Sequence, residues 1–98
     1  MSLVPTFHDQ AERELNEGAN TYAGLRPGLG HAFIDAVENA VELLCESPFI
    51  GKAVQGQVRA WIVRGFPYSL YYRVRGEELR ILAVAHHRRR PSYWRGRS

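Results

Sequence analysis

The sequence predicts an α+β domain: a short N-terminal strand, then an antiparallel helix hairpin packed on a mainly antiparallel sheet. Two apolar periods and the punctuation between them predict it. Apolar residues recur at helical spacing from Ala11 to Leu44, then alternate in twos from Ala53 onward. Pro27-Gly28 and Ser47-Pro48 fall where these patterns break. At 98 residues the chain makes one domain, residues 1–98, with a single modest core.

Leu3 to Phe7 reads as a strand, and Pro5 confines it to a sheet edge because it lacks an N–H for the ladder. Asp9 and Glu12 have the spacing of a capping box, so Asp9 is expected to cap the first helix. That helix runs to about Tyr22, with Ala11, Leu15, Ala19 and Tyr22 on one face. Gly18 should weaken it, and Gly24 with Pro27-Gly28 should end it. A second helix spans Leu29 to about Glu46. Leu29, Phe33, Val37, Val41 and Leu44 form its stripe, widened by Ile34 and Leu43, while Asp35, Glu38, Glu42 and Glu46 face outward. Ser47 precedes Pro48 and so avoids the helical region, which stops the helix. The short turn between the helices makes them an antiparallel hairpin.

Val58 to Val63 is a strand, and Gly65-Phe66-Pro67 breaks it. Tyr68, Leu70, Tyr72 and Val74 then alternate with Ser69, Tyr71, Arg73 and Arg75 over a second strand. Arg75 to Glu78 is a turn, and Leu79 to Ala85 completes a meander. Strict alternation puts Leu79, Ile81, Ala83 and Ala85 on one face, with Arg80, Leu82, Val84 and His86 on the other. The helices are expected to cover one face of this sheet.

The net charge of +3 conceals an asymmetry. Residues 1–49 hold eight carboxylates against two arginines, whereas residues 50–98 hold eleven basic residues against Glu77 and Glu78. The second half therefore points to nucleic acid or an acidic partner. Lys52 is the one lysine, and the planar fork of arginine favours specific pairing with carboxylate or phosphate. His86 to Ser98 concentrates five arginines, two histidines, Tyr93 and Trp94 directly after an apolar strand. Both helices are acidic, which argues against a major-groove reader that brings a basic helix to DNA. Cys45 is alone, and in its helical pattern it reads as a small buried hydrophobe. With no disulfide, no signal peptide and no long apolar run, a reducing cytosol is the expected compartment and no membrane partner is expected. His8, His31, His86 and His87 lack ligand spacing with Cys or carboxylates, so neither a metal nor a cofactor is expected.

Phe66-Pro67-Tyr68-Ser69-Leu70-Tyr71-Tyr72, followed by Ile81 to His86 and Arg89-Arg90-Pro91-Ser92-Tyr93-Trp94, resembles the RelE/ParE toxin superfamily of bacterial type II toxin–antitoxin, or plasmid stabilisation, systems. The likeness covers almost the whole chain, including Ala11, Glu14-Leu15, Tyr22, Gly30, Phe33 and Ser47-Pro48. It implies a helical hairpin on a mainly antiparallel sheet and a cognate antitoxin partner in a hetero-oligomer. RelE-like members cut mRNA on the ribosome, and ParE-like members poison DNA gyrase without catalysis. A RelE-like nuclease places basic groups where this chain has Ala60, Ile62 and Ser69, so the resemblance leans to the ParE-like branch.

As a ribonuclease the chain would rely on His87, Arg89, Tyr93 and Arg64, with His87 as acid or base near neutral pH and Arg89 on the phosphate. As a partner-binding inhibitor it would rely on Arg88, Arg89, Arg90, Trp94, Arg95 and Arg97, together with Arg73. A further alternative is a non-toxic relic that retains only antitoxin binding. His86 ends a strand and reads as a sheet cap that bonds nearby backbone. Tyr68, Tyr71 and Tyr72 read as core and cross-strand packing. The antitoxin segment is expected to be apolar and acidic, to shield the arginines, with Arg88, Arg89 and Arg90 mattering most for its affinity, and to cover a groove beside the helices.

Overall fold

The computed structural model describes residues 2–98. Among them the chain forms β1 (Val4–Phe7), α1 (Asp9–Leu25), α2 (Leu29–Glu46), β2 (Lys52–Gln55), β3 (Val58–Ile62), β4 (Tyr68–Arg75) and β5 (Glu78–His86). The sheet order is β1-β5-β4-β3-β2. β1 pairs parallel to β5, and the other pairings are antiparallel. The helix hairpin and mainly antiparallel sheet are those expected, and Pro5 does lie on an edge strand.

The start of α1 differs from expectation. His8 is the N-cap, and its Nδ1 accepts from the Gln10 N–H at 3.1 Å. An unprotonated ring nitrogen thus does the work of a capping oxygen. Asp9 stands inside the first turn, where its charge meets the positive helix end, so the expected capping box does not form. α1 also continues past Tyr22 to Leu25.

Gly18 proves to be a packing residue. A Cβ there would lie 2.8 Å from Phe33 Cε2, and one at Gly30 would lie 2.6 Å from the Ala19 carbonyl oxygen. Absent side chains let α1 and α2 approach each other and the aromatic cluster of Tyr22, Phe33, Phe66 and Tyr68. Gly28, between the helices, has φ 83°, a left-handed conformation glycine adopts without steric cost. Leu43, expected to widen the stripe of α2, is 44% exposed instead.

The two-residue period opens at Ala53, yet no strand is expected before Val58; β2 is nevertheless formed there, short, exposed and with a register irregularity between Ala53 and Gln55. Its approach is fixed by Tyr72, whose hydroxyl donates to the Pro48 carbonyl at 2.7 Å and accepts from the Gly51 N–H at 3.1 Å.

β5 departs most from simple alternation. The β4–β5 register passes from Tyr71↔Ala83 to Tyr72↔Ile81, which leaves Leu82 as an extra residue. One extra residue reverses the parity of the strand. Leu79, Ile81 and Val84 therefore join the core beneath the helices, while Ala83 and Ala85 join Trp94 in a second small core on the opposite face. The single face predicted for Leu79, Ile81, Ala83 and Ala85 is corrected by this bulge.

Candidate functional site

The bulge is the foundation of the basic end. Beside it, beyond Ile81 where the pairing with β1 ends, the Leu82 carbonyl and the Val84 N–H are met by side chains, and a buried backbone group needs a partner. Arg97 Nη1 donates to Leu82 O at 3.0 Å, and Val84 N donates to Glu14 Oε1 at 3.0 Å. Arg97 and Glu14 then pair with each other through Nη1–Oε1 at 3.0 Å and Nη2–Oε2 at 3.1 Å. The Tyr93 hydroxyl adds a bond to Glu14 Oε2 at 2.8 Å. Both ionic side chains are only 11% exposed, and every strong donor directed at Glu14 comes from the sheet or the tail.

Two guanidinium groups stand over the Tyr93 ring. Arg89 stands 3.8 Å from its centroid and Arg97 5.0 Å. Burial, and then the bond to the Glu14 carboxylate, hold the Tyr93 phenol far above its ordinary value, so it remains protonated. Trp94 is buried and stacks on Tyr71 with centroids 5.0 Å apart. Arg95 bonds the Gln55 side chain of β2 at 3.2 Å, and Arg80 bonds the Ser98 carbonyl at 3.2 Å. Ser92 takes a left-handed φ of 62°, sparsely populated for a non-glycine residue, where the tail reverses. The basic tail is thus a folded cap on the sheet.

This folding sorts the predicted residues. Arg97 and Trp94 point inward and hold the cap. Arg88, Arg89 and Arg90 are exposed and form no ion pair among the described residues. His86 accepts the Arg88 N–H at 3.0 Å through Nδ1 and packs edge-on to Tyr68. His87 places Nε2 2.9 Å from Ser69 Oγ, while its backbone N–H donates to the Pro67 carbonyl at 2.8 Å. His87, Arg89, Arg90 and Tyr93 border one concavity of about 210 Å³. Arg64 does not join them; it lines a separate groove of about 600 Å³ with Ala36, Ala40 and Leu43 of α2 and Trp61 and Ile62 of β3. Ala60 and Ile62 stand opposite Tyr71 and Ser69 in register, so the sheet face beside His87 carries no charge at those positions.

Glu14 is the organising residue that charge patterning alone passes over. It lies at helical spacing from Ala11 and Gly18, both buried, and a carboxylate on a buried stripe is the signal that could have found it. Among the described residues, no group of three or more His, Cys, Asp or Glu is placed to hold a metal, and no helix is long and apolar enough to cross a membrane.

A helix hairpin on a five-stranded mixed sheet is the architecture that the resemblance to the RelE/ParE class of small toxins implies. Within that class, the family model of the ParE toxin of the type II toxin–antitoxin system parDE matches residues 6–91, and the chain belongs to this family. A chain from the chromosomal ParDE TA system of P. aeruginosa has the same fold, with TM-score 0.63 and 20% identity, covering 87% of this chain and 96% of that one. Among curated proteins, none matches the sequence.

Proposed function

We propose that this ParE-family toxin acts in the cytoplasm as a non-enzymatic inhibitor of DNA gyrase and is held inactive by a cognate antitoxin. The observation that carries this reading is the sorting of the tail. Arg88, Arg89 and Arg90 project unpaired from a turn anchored by Glu14, Arg97 and Trp94, while Ala60, Ile62 and Ser69 leave the neighbouring sheet face uncharged. Such a surface can bind anionic or acidic groups. The neighbouring sheet face lacks the basic groups that a RelE-like cleavage through a 2′-hydroxyl would bring to bear beside it.

The antitoxin reading is supported by the groove between α2 and β3. Ile62 is 65% exposed and Leu43 44%, and Arg64 stands at the margin. An amphipathic segment with acidic flanks would cover the apolar floor and pair with Arg64. The deciding experiment adds purified protein to a gyrase supercoiling assay and, separately, to a translating extract. Inhibited supercoiling with intact mRNA is expected. Cleaved mRNA with unaffected supercoiling would favour the ribosome-dependent nuclease instead.

A further inference from the structure

We propose that the free toxin pairs with a second copy of itself, about a two-fold axis, through the groove between α2 and β3. The groove continues beyond the hollow that Arg64 borders. A second hollow of about 400 Å³, lined by Ile50, Lys52 and Ala60, shares Trp61 and Ile62 with the first, so the two form one surface from α2 to β2. Ile62 is 65% exposed, and Leu43 and Ile50 are each 44% exposed. Large apolar side chains gathered around adjoining hollows mark an interaction surface, whereas scattered ones need no explanation.

The charges beside this surface decide what covers it. Asn39 of α2 lines the groove, and Asp35, Glu42 and Glu46 stand at helical spacing from it, on the same face of the helix. All three carboxylates are exposed. Lys52 and Arg64, exposed as well, stand on the opposite bank. None of these five side chains forms an ion pair among the described residues, so the two banks do not neutralise each other within one copy. Arg73, a partner-binding candidate on charge alone, takes no part: it is half-buried, opposite Arg80 in the β4–β5 register, and borders neither hollow.

A groove with one acidic and one basic bank is complementary to itself. A two-fold axis across it sets the acidic bank of each copy against the basic bank of the other, and the apolar side chains of both copies close the floor between them. A nucleic-acid backbone would meet the carboxylates of α2 and be repelled. An acidic peptide segment can pair with the basic bank alone, so a second copy matches the surface more fully. On the reading given above for the antitoxin, that segment and the second copy compete for one groove. The dimer itself does not rest on that reading.

The test is sedimentation equilibrium of the purified toxin alone, from about 1 to 500 μM. A reversible monomer–dimer equilibrium is expected, and Ile62→Glu should weaken it about tenfold or more. Lys52→Glu/Arg64→Glu makes both banks acidic, and Glu42→Lys/Glu46→Lys makes both basic, so each variant alone should be monomeric. Mixed in equal amounts they should form a one-to-one dimer, since every acidic bank then meets a basic one. Adding Ile62→Glu to both should abolish that dimer. Neither gyrase nor antitoxin enters the measurement, so its failure leaves the proposed function standing. Wild-type protein that stays monomeric throughout, a dimer indifferent to Ile62→Glu, or a mixture that stays monomeric would each overturn the proposal. So would a monomer whose Leu43 and Ile62 methyl resonances move only when an acidic, apolar peptide is added, which would give the groove to a peptide partner instead.

Discussion

Glu14 of α1 and Arg97 of the tail pair at 3.0 Å across 83 positions of sequence. This ion pair joins the acidic half of the chain to the basic half and makes the tail part of the fold. The bulge at Leu82 is satisfied by the same two side chains, so strand geometry and tail docking depend on each other.

Glu14→Ala should therefore be costly. It removes the acceptor for the Val84 N–H, the Tyr93 hydroxyl and Arg97 at once. Breaking a buried pair from one side costs about 3–5 kcal/mol, and a loss in that range is expected in urea unfolding. Glu14→Gln keeps an acceptor oxygen and should lose less. Hydrogen exchange of the tail amides should accelerate in both variants; unchanged protection would show that Trp94 alone holds the cap.

Tyr93 makes the alkaline limb of stability diagnostic. Its phenol is held above the ordinary value, so folding favours the protonated form. That contribution is fully present below the unfolded value of about 10 and is lost as pH rises beyond it. Tyr22, Tyr68 and Tyr72 are shifted in the same direction by burial, so the informative quantity is the difference between wild type and Tyr93→Phe. The variant should lose less stability above pH ~10. Identical alkaline limbs would remove Tyr93 from the account.

The two packing glycines should resist replacement although alanine is the better helix former. Gly→Ala gains about 1 kcal/mol of helix propensity. At Gly18 the new methyl would sit 2.8 Å from a ring atom of Phe33, which is fully buried and has little room to move. At Gly30 it would meet the Ala19 carbonyl at 2.6 Å, and backbone yields less than a side chain. Overpacking costs about 1–3 kcal/mol, so Gly18→Ala should be slightly destabilising and Gly30→Ala clearly so. Thermal melts that rank them in the reverse order would contradict the packing argument.

The elements were legible because each rests on local pattern: the stripe of α2, the alternation of β4 and the Pro27-Gly28 break. What sequence concealed was long-range. The register skip at Leu82 depends on β4 as much as on β5, and no period within Leu79 to Ala85 reveals it. His8 acts as a cap through a nitrogen that capping rules built on Ser, Thr, Asp and Asn do not weigh. The tail read as a cationic extension because Glu14, its anchor, sits on a helix near the other end of the chain.

The groove gives a prediction that separates toxicity from neutralisation. Ile62→Glu alters a side chain that is 65% exposed, so stability should change by less than about 0.5 kcal/mol. Growth arrest should persist on expression of the variant alone. Rescue by co-expression of the cognate antitoxin should fail, since a carboxylate would face an acidic, apolar segment. Full rescue would place the antitoxin elsewhere.

The last prediction concerns His87 and the arginines that follow it. His87 contributes one side-chain hydrogen bond, to Ser69, so His87→Ala should cost about 1 kcal/mol and leave the cap docked through Glu14 and Trp94. If the toxin works by binding, growth arrest should survive this change. Arg88→Ala/Arg89→Ala/Arg90→Ala should abolish it while the fold persists, because exposed arginines without ion pairs add little to stability. Arg89 also stacks on Tyr93, so circular dichroism and tail-amide exchange must first show the triple variant to be folded. A catalytic His87 predicts the reverse order: toxicity lost in the alanine variant at unchanged gyrase affinity, and regained in part when imidazole is supplied to a translating extract.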